Sequence, residues 1–261
     1  EPKWHAPWKL KTVISGHHGW VRCLAMDPKN KFIVSGSTDR TIKFWDLVKG
    51  ECMLTFTGHI NTVRALAISD RSPFLFSVGE DKMVKCWDLE VNKVVRSYHG
   101  HLSGVHSVAL HPSLDLLVTG GRDAVARVWT FEPDCKSTAW EAIQTLWSQS
   151  YVKTMTLNHN RLTRQNDKDL GRQDWHMFAH IDAHKKGVRA LVVHPTEYTF
   201  ASGAADKIRI WKCPEGHHLR TMAGHNSIIN SMALNRDNVL VSGSDNGVLS
   251  LYDWDSGHMF Q

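Results

Sequence analysis

The stretch GHHGWVRCLAMDPKNKFIVSGSTDRTIKFWD, residues Gly16–Asp46, decides how this sequence folds. It contains His17, Ser35 and Asp39, the three residue types of a hydrolase triad, and it ends on a Trp–Asp pair. Short β-branched and aromatic runs such as KFIVSGS and TIKFWDL alternate with turn segments such as MDPKNK and DLVKGE. This alternation predicts short antiparallel strands that are joined by tight turns.

The same pattern recurs along the chain. A histidine that follows Gly or Ala recurs at intervals of 42, 42, 83 and 41 residues, at His17, His59, His101, His184 and His225. An aromatic residue recurs at intervals of 42, 42, 82 and 41 residues, at Trp45, Trp87, Trp129, Trp211 and Tyr252. A period of this length with Gly-His and Trp-Asp signatures is typical of WD40 repeats, in which each repeat forms a four-stranded blade of a β-propeller. The sequence therefore predicts an all-β WD40 β-propeller.

The Ser, His and Asp residues recur with the repeat. An aspartate lies 22 residues after each of the first four histidines, at Asp39, Asp81, Asp123 and Asp206. A hydroxyl residue lies four positions before each aspartate, at Ser35, Ser77, Thr119 and Ser202. A catalytic set occurs once per active site, whereas this set occurs at least four times. We therefore expect a structural hydrogen-bond chain from Trp through Ser or Thr and His to Asp, and no catalytic residue.

The last repeat departs from this pattern. Asn246 occupies the aspartate position and Tyr252 the tryptophan position, while His225 and Ser242 are retained. We expect a weaker network there.

A single propeller domain over residues 1–261 accounts for these repeats. We expect an entry segment and closing strand over 1–15 and repeats over 16–57, 58–99, 100–141, 142–182, 183–223 and 224–261. The repeat over 142–182 has lost its signature, and there EAIQTLW is interpreted as strand d of the third blade, SYVKTMTLN as strand a of the fourth and DWHMFAHID as its outer strand. WKLKTVIS resembles a strand d without its strands a to c, so either six blades close with this segment in place of the C-terminal GHMFQ, or a seventh blade is missing. We favour seven blades, with about 35 residues absent from this chain.

Composition indicates an ordinary globular protein, with 42% hydrophobic and 22% charged residues and a net charge of +5. No apolar run is long enough to span a bilayer, and the N-terminus lacks the layout of a secretory signal. The five cysteines are scattered without a CxxC pair, which predicts free thiols in a reducing compartment. Seventeen histidines are present, but none stands with cysteines or carboxylates at zinc-site spacing, so we expect neither a metal nor a cofactor.

Several segments go beyond the general repeat. WHAPWKL, VISGHHGWVR, RSPFLFSVGEDKMVKCWDLEVNKVVRSYHGHLS, RDAVARVW and DNGVLSLYDWDSGHMFQ resemble the pleiotropic regulator 1 family of WD40 splicing proteins, over residues 4–130 and 180–261. The resemblance implies a seven-bladed propeller after a longer N-terminal extension, a nuclear location and no enzymatic activity. It implies a scaffold of the spliceosome, bound to the Myb-related and other core proteins of the nineteen complex and lying near snRNA or pre-mRNA. It implies no membrane partner and no small-molecule substrate.

Basic residues recur where partners are expected to dock. The position five residues after each repeat histidine holds Arg22, Arg64, His106, Arg189 and Asn230, and nearby cations are Arg40, Lys82, Arg122, Lys185 and Lys186. One interpretation is a positive ring that binds an acidic peptide or RNA phosphates, with Arg forks making bidentate contacts. The other is that each arginine pairs with a carboxylate of the neighbouring blade or is merely solvated. The sequence leaves both open.

Overall fold

The computed structural model describes residues 9–112, 116–130, 176–205, 207–224 and 227–260, which contain nineteen strands. The strands are β1 (Val21–Met26), β2 (Phe32–Ser37), β3 (Thr41–Asp46), β4 (Cys52–Thr57), β5 (Val63–Ile68), β6 (Phe74–Gly79), β7 (Val84–Asp88), β8 (Lys93–Tyr98), β9 (Val105–Leu110), β10 (Leu116–Gly121), β11 (Val125–Thr130), β12 (His176–Asp182), β13 (Ala190–Val193), β14 (Thr199–Gly203), β15 (Ile208–Lys212), β16 (His217–Met222), β17 (Ile229–Leu234), β18 (Val239–Ser244) and β19 (Leu249–Asp253). No helix long and apolar enough to cross a membrane occurs in this part of the chain.

The strands form five antiparallel sheets in chain order. The first four sheets are β1–β4, β5–β8, β9–β12 and β13–β16, and the fifth is β17–β19. In each sheet every strand pairs with the next one along the chain. Short turns join strands such as β1 to β2 and β2 to β3, whereas residues 131–175, which separate β11 from β12, lie outside the described residues. The predicted all-β WD40 propeller architecture is confirmed. The first strand of each sheet is called its inner strand here, since these strands contact one another from sheet to sheet.

The sheets pack face to face through one recurring apolar position at the start of the inner strand. Val63, Val105, Val188 and Ile229 are all fully buried there. The sheet on the other side comes very close: a Cβ on Gly36 would lie 2.7 Å from Val63, and one on Gly120 would lie 2.6 Å from Val188. Glycine at this position of β2 and β10 therefore allows close approach of the next sheet, because a side chain on either residue would collide with the facing valine.

The third sheet corrects the sequence interpretation. Its fourth strand is β12, which pairs with β11 through Val125 opposite Asp182 and Arg127 opposite His180. The place assigned to EAIQTLW is therefore occupied by residues of DWHMFAHID, and the assignment of that segment to a fourth, degenerate blade is wrong. Residues 142–175 of that expected repeat lie outside the described residues.

The third sheet also packs directly on the sheet that follows it. Leu116 and Val128 of the third sheet share one buried apolar cluster with Val188 and Phe200 of the fourth. The repeats predicted as third and fifth are therefore neighbours. The physical reason is strand pairing. A fourth strand satisfies the backbone N–H and C=O groups at the edge of β11, and a segment that is distant in sequence can supply this strand as well as an adjacent one.

The C-terminal residues continue the fifth sheet. Tyr252 forms an isolated bridge with Met259, and the Phe260 N–H donates to the Leu251 carbonyl at 3.0 Å. GHMFQ thus begins a fourth strand, as expected. Residues 9–15 of the WKLKTVIS segment form no strand, so the six-blade closure, in which this segment replaces GHMFQ, is not the observed arrangement. The seven-blade alternative remains a prediction.

Candidate functional site

The first two sheets contain the full polar set within hydrogen-bonding distance. In the second sheet, His59 Nε2 lies 2.7 Å from Ser77 Oγ, and His59 Nδ1 lies 2.8 Å from Asp81 Oδ2. Trp87 Nε1 donates to the same Ser77 hydroxyl at 2.7 Å. The Asp81 carboxylate also accepts from the backbone N–H of Ile60 at 3.0 Å. These bonds tie the second and third strands to the loop that enters the sheet.

The first sheet repeats this arrangement atom for atom. His17 lies 2.7 Å from Ser35 Oγ and 2.8 Å from Asp39 Oδ2, and Trp45 donates to Ser35 at 2.7 Å. Asp39 has one additional donor, the Thr41 hydroxyl at 2.7 Å. Burial opposes ionisation of Asp39, but the hydrogen bonds from Thr41, His17 and the backbone outweigh it and lower the pKa of this carboxyl well below its usual value.

The third sheet uses threonine in the same role. His101 lies 2.8 Å from Thr119 Oγ1 and 3.0 Å from Asp123 Oδ2, and Trp129 donates to Thr119 at 2.8 Å. Burial raises the pKa of Asp123, but hydrogen bonding and charge attraction from His101 reverse this and lower it to about 2. Burial also lowers the pKa of His101, against the opposing effect of Asp123. The pair therefore carries an ionised aspartate beside a neutral imidazole at neutral pH.

The last two repeats are described in part. In the fourth sheet, His184 lies 2.8 Å from Ser202 Oγ, and Trp211 donates to Ser202 at 2.7 Å. In the fifth sheet, Ser242 is fully buried and lies 3.5 Å from the Ser250 carbonyl. Two further members of these sets, Asp206 and His225, lie outside the described residues. Asn246, in the aspartate position, accepts instead from the neighbouring Ser244 hydroxyl at 2.5 Å.

The geometry of these sets does not suit nucleophilic catalysis. A catalytic serine must present its oxygen to a substrate beside an oxyanion site. Here Ser77, Thr119 and Ser202 are each fully buried, and each hydroxyl oxygen already accepts a bond from a tryptophan. The arrangement can brace a sheet, because it closes a chain of buried polar groups, but it offers a substrate no open position.

The five candidate rim residues occupy one structural position, at or just before the start of the inner strand. In four sheets this position is a β-bulge: the register shifts between Val21 and Cys23, and equivalently around Arg64, His106 and Asn230. A bulge re-aims the extra residue out of the strand ladder. Arg189 lies directly before β13 and donates its N–H to the Gly203 carbonyl. We call these positions the bulge position of each sheet.

In two sheets the bulge residue pairs with the residue just before the network aspartate or its equivalent. In the second sheet this is Glu80, which forms an ion pair with Arg64 and accepts from Arg64 Nε at 2.7 Å. In the fifth sheet it is Asp245, which accepts from Asn230 Nδ2 at 3.1 Å. In these two sheets the bulge residue is paired within its own blade, as one of the two open interpretations expected, although with its own carboxylate rather than a neighbour's.

The third and fourth sheets lack this pairing. The residue just before the network aspartate position is Arg122 in the third sheet and Ala205 in the fourth, so neither sheet has a carboxylate there. Arg189 donates to the neutral Asn230 side chain at 3.1 Å. Burial lowers the pKa of His106; Glu80 opposes this, whereas Arg64, Arg189 and Arg122 lower it further.

The first sheet differs again. Arg22 lies over the ring of Trp20, 4.9 Å from its centroid, and Trp20 is 73% exposed. A shallow cavity of about 510 Å³ beside this ring is lined by His17, His18, Gly19, Trp20 and Thr38.

Arg40 and Lys82 are exposed turn residues with left-handed backbone, at φ 68 and 67.

The sequence interpretation missed the residues that decide pairing at the rim. Glu80 and Asp245 precede the network aspartate position, so aligning the repeats was the signal that would have found them. It also missed two inter-sheet contacts at the opposite edge: His111 Nε2 lies 3.2 Å from the Glu197 carbonyl, and His194 Nε2 lies 2.9 Å from Asn238 Oδ1. Across the described ranges, no cluster of three or more His, Cys, Asp or Glu side chains is arranged to hold a metal.

Comparison with known families gives five matches to the WD40 family, described as WD domain, G-beta repeat. They cover residues 8–46, 50–88, 92–130, 175–212 and 216–253. Each match joins the outer strand of one sheet, or the segment preceding the first, to the first three strands of the next. The match that begins at 175 therefore starts with β12, in agreement with the pairing of the third sheet.

Individual proteins are similar over the whole chain. Pleiotropic regulator 1 of Mus musculus is 56% identical over 262 residues, which is 100% of this chain and 51% of that protein. The protein pleiotropic regulator PRL2 of Arabidopsis thaliana is 55% identical, with 54% of its length covered. Pre-mRNA-splicing factor PRP46 of Candida glabrata is 46% identical over 267 residues, with 62% of its length covered. The chain thus spans about half to three fifths of these relatives.

Proposed function

Because the chain belongs to the WD40 repeat family, we propose that it is a non-catalytic scaffold that acts in pre-mRNA splicing in the nucleus. The observation that carries this proposal is the similarity, along the entire chain, to proteins named pleiotropic regulator and pre-mRNA-splicing factor. The partners would be spliceosomal proteins of the nineteen complex, including its Myb-related member. These partners bind at rim surfaces of the blades.

The interior supports a scaffold rather than an enzyme. The Ser or Thr, His and Asp side chains resemble a triad, but they form hydrogen bonds that stabilise three successive sheets. The distance from the histidine to the hydroxyl oxygen is nearly identical in the three sheets. A partner that binds at the rim contacts loops with a defined conformation. In the first three sheets, the loop that enters the sheet donates a backbone hydrogen bond to the aspartate of the same sheet. Pre-organised loops lower the entropy that binding must otherwise remove.

Direct RNA binding is the second candidate function. It is favoured by the net charge of +5 and by Trp20, whose exposed ring with Arg22 stacked on it resembles the aromatic and cationic platforms that hold single-stranded bases. The two functions differ in their salt dependence. Affinity for RNA without any partner protein, falling steeply as salt is raised, would favour this alternative.

Replacement of the endogenous protein in nuclear extract tests the scaffold. The full-length protein is depleted and restored either as wild type or with Arg22, Arg122 and Arg189 reversed to Glu; co-precipitation of nineteen-complex proteins and spliced product are then measured. We expect the triple variant to fold normally and to lose most partner recovery and splicing. Lys49→Glu, an exposed change in the turn between β3 and β4, is the matched control and should behave as wild type. Splicing that proceeds equally well without the protein would overturn the proposal.

A further inference from the structure

We propose that the inner rim of the third and fourth sheets is a docking site for an acidic peptide segment of a protein partner. The site consists of His106, Arg122, Lys185, Lys186 and Arg189, and we call it the basic cleft. This inference rests on the proposed function, because the peptide would belong to a partner of the scaffold. The proposed site is local to two sheets and is not a ring of charge on every sheet.

Backbone contacts bring the two sheets together at this cleft. The Val188 N–H donates to the Gly121 carbonyl at 2.9 Å, and the His184 N–H donates to the Ala124 carbonyl at 3.2 Å. A Cβ on Gly187 would lie 2.9 Å from Arg122 Cα. The loop that carries Lys185 and Lys186 therefore runs along the turn that carries Arg122, so the cations of the two sheets are held side by side by main-chain bonds rather than by flexible side chains.

The charges of the cleft are uncompensated where those of its neighbours are paired. Within the described residues, no carboxylate pairs with Arg122, Lys185 or Lys186, and all three are exposed. Among the described residues, the Arg189 side chain donates only to the neutral Asn230 amide oxygen, so most of its five N–H donors remain available. On either side, Glu80 neutralises Arg64 and Asp245 occupies Asn230. The bulge residues on either side are thus paired, whereas the exposed cations of the third and fourth sheets lie together without a carboxylate partner among the described residues.

The side chains of the basic cleft favour a peptide over RNA. Arginine forks bind carboxylates bidentately, whereas single-stranded RNA binding also relies on aromatic rings that stack on the bases. The residues at this rim are cationic, small or His106, and the exposed Trp20 belongs to the first sheet, beyond the paired second sheet. We therefore infer a carboxylate-rich strand as the occupant.

Fluorescence anisotropy with the full chain tests the site. The probes are a fluorescein-labelled peptide of alternating Glu and Ser, ten residues long, and a labelled decauridylate RNA. We expect Arg122→Glu and Arg189→Glu each to weaken peptide binding about tenfold or more, since each substitution replaces an attractive charge by a repulsive one. Arg40→Glu and Lys82→Glu, on the first and second sheets, are controls with the same charge change and should stay within about twofold. Glu80→Gln frees Arg64 beside the cleft and should tighten binding about threefold. Unchanged thermal unfolding confirms that each variant is folded.

Three results would overturn the basic cleft: no measurable peptide binding by the wild type, equal losses in the control variants, or tighter binding of the RNA than of the peptide. The splicing assay separates this inference from the proposed function. Loss of peptide binding in Arg122→Glu with full recovery in splicing extract would retain the cleft and count against its role in the scaffold. Loss of splicing in a chain that never bound the peptide would retain the scaffold and reject the cleft.

Discussion

The second and third sheets have the same interior and opposite rims. Inside, His59–Ser77 and His101–Thr119 are separated by 2.7 and 2.8 Å, and a tryptophan completes each network. At the rim, Arg64 of the second sheet is neutralised by Glu80, whereas Arg122 holds the position of Glu80 in the third sheet. Only 42 residues of sequence separate corresponding positions.

This difference shows which features the architecture requires and which it leaves free. A buried hydroxyl between a tryptophan and a histidine must keep both partners, because each unpaired buried polar group costs about 1–3 kcal/mol. A rim residue lies in water, where a charge is solvated whether or not it is paired, and an exposed ion pair contributes at most about 1 kcal/mol. The rim is therefore free to diverge between blades for binding.

The largest effect is expected from breaking the interior of the third sheet. Thr119→Val keeps the shape of the side chain and removes the oxygen that Trp129 and His101 share, so two buried groups lose a partner. We expect the free energy of unfolding to fall by about 2–3 kcal/mol, measured by denaturant titration. Thr57→Val makes the same change at an exposed strand position and should cost less than about 0.5 kcal/mol. Equal costs at the two positions would contradict a bracing role.

A smaller effect is expected from making the fourth sheet resemble the second. Ala205→Glu places a carboxylate in the position that Glu80 has beside Arg64, where it can pair with Arg189. We expect the affinity for the acidic peptide to fall about tenfold by anisotropy, because the cleft loses positive charge and gains a competing carboxylate. Ala205→Gln has a similar shape without charge and serves as the control. A loss of the same size in both variants would indicate steric blockage instead.

The smallest effect is expected from pH. The pKa of His106 is lowered from its usual value, so the imidazole is neutral at pH 7 and gains its proton only as the pH falls below about 6.5. Its protonation adds a positive charge to the cleft, which should tighten peptide binding by about twofold to threefold once the pH has fallen through this lowered pKa. His106→Gln should match the wild type at pH 7 and show no such increase. An increase that persists in this variant would assign the proton to another group of the protein, because protonation of the peptide itself would weaken binding.

Sequence periodicity predicted the networks well because their geometry depends on spacing alone. A fixed 22 residues from His59 to Asp81, and 18 from His59 to Ser77, place the same atoms together in every sheet of the same length. It failed at the third sheet, where the distance of 55 residues from Trp129 to His184 almost equals the 56 expected for a further blade. Length cannot distinguish a degenerate repeat from residues inserted before a strand.

The amino-acid sequence by itself determined the blade: its strands, its turns and the polar set that braces it, all of which depend on contacts within about 42 residues. Only the tertiary structure decided which strand completes the third sheet, which sheets are neighbours and which rim charges are neutralised. The reason is physical. Strand pairing and ion pairing depend on which groups meet across a turn or between sheets. Several segments of similar composition could make these contacts, and only the folded chain selects one of them.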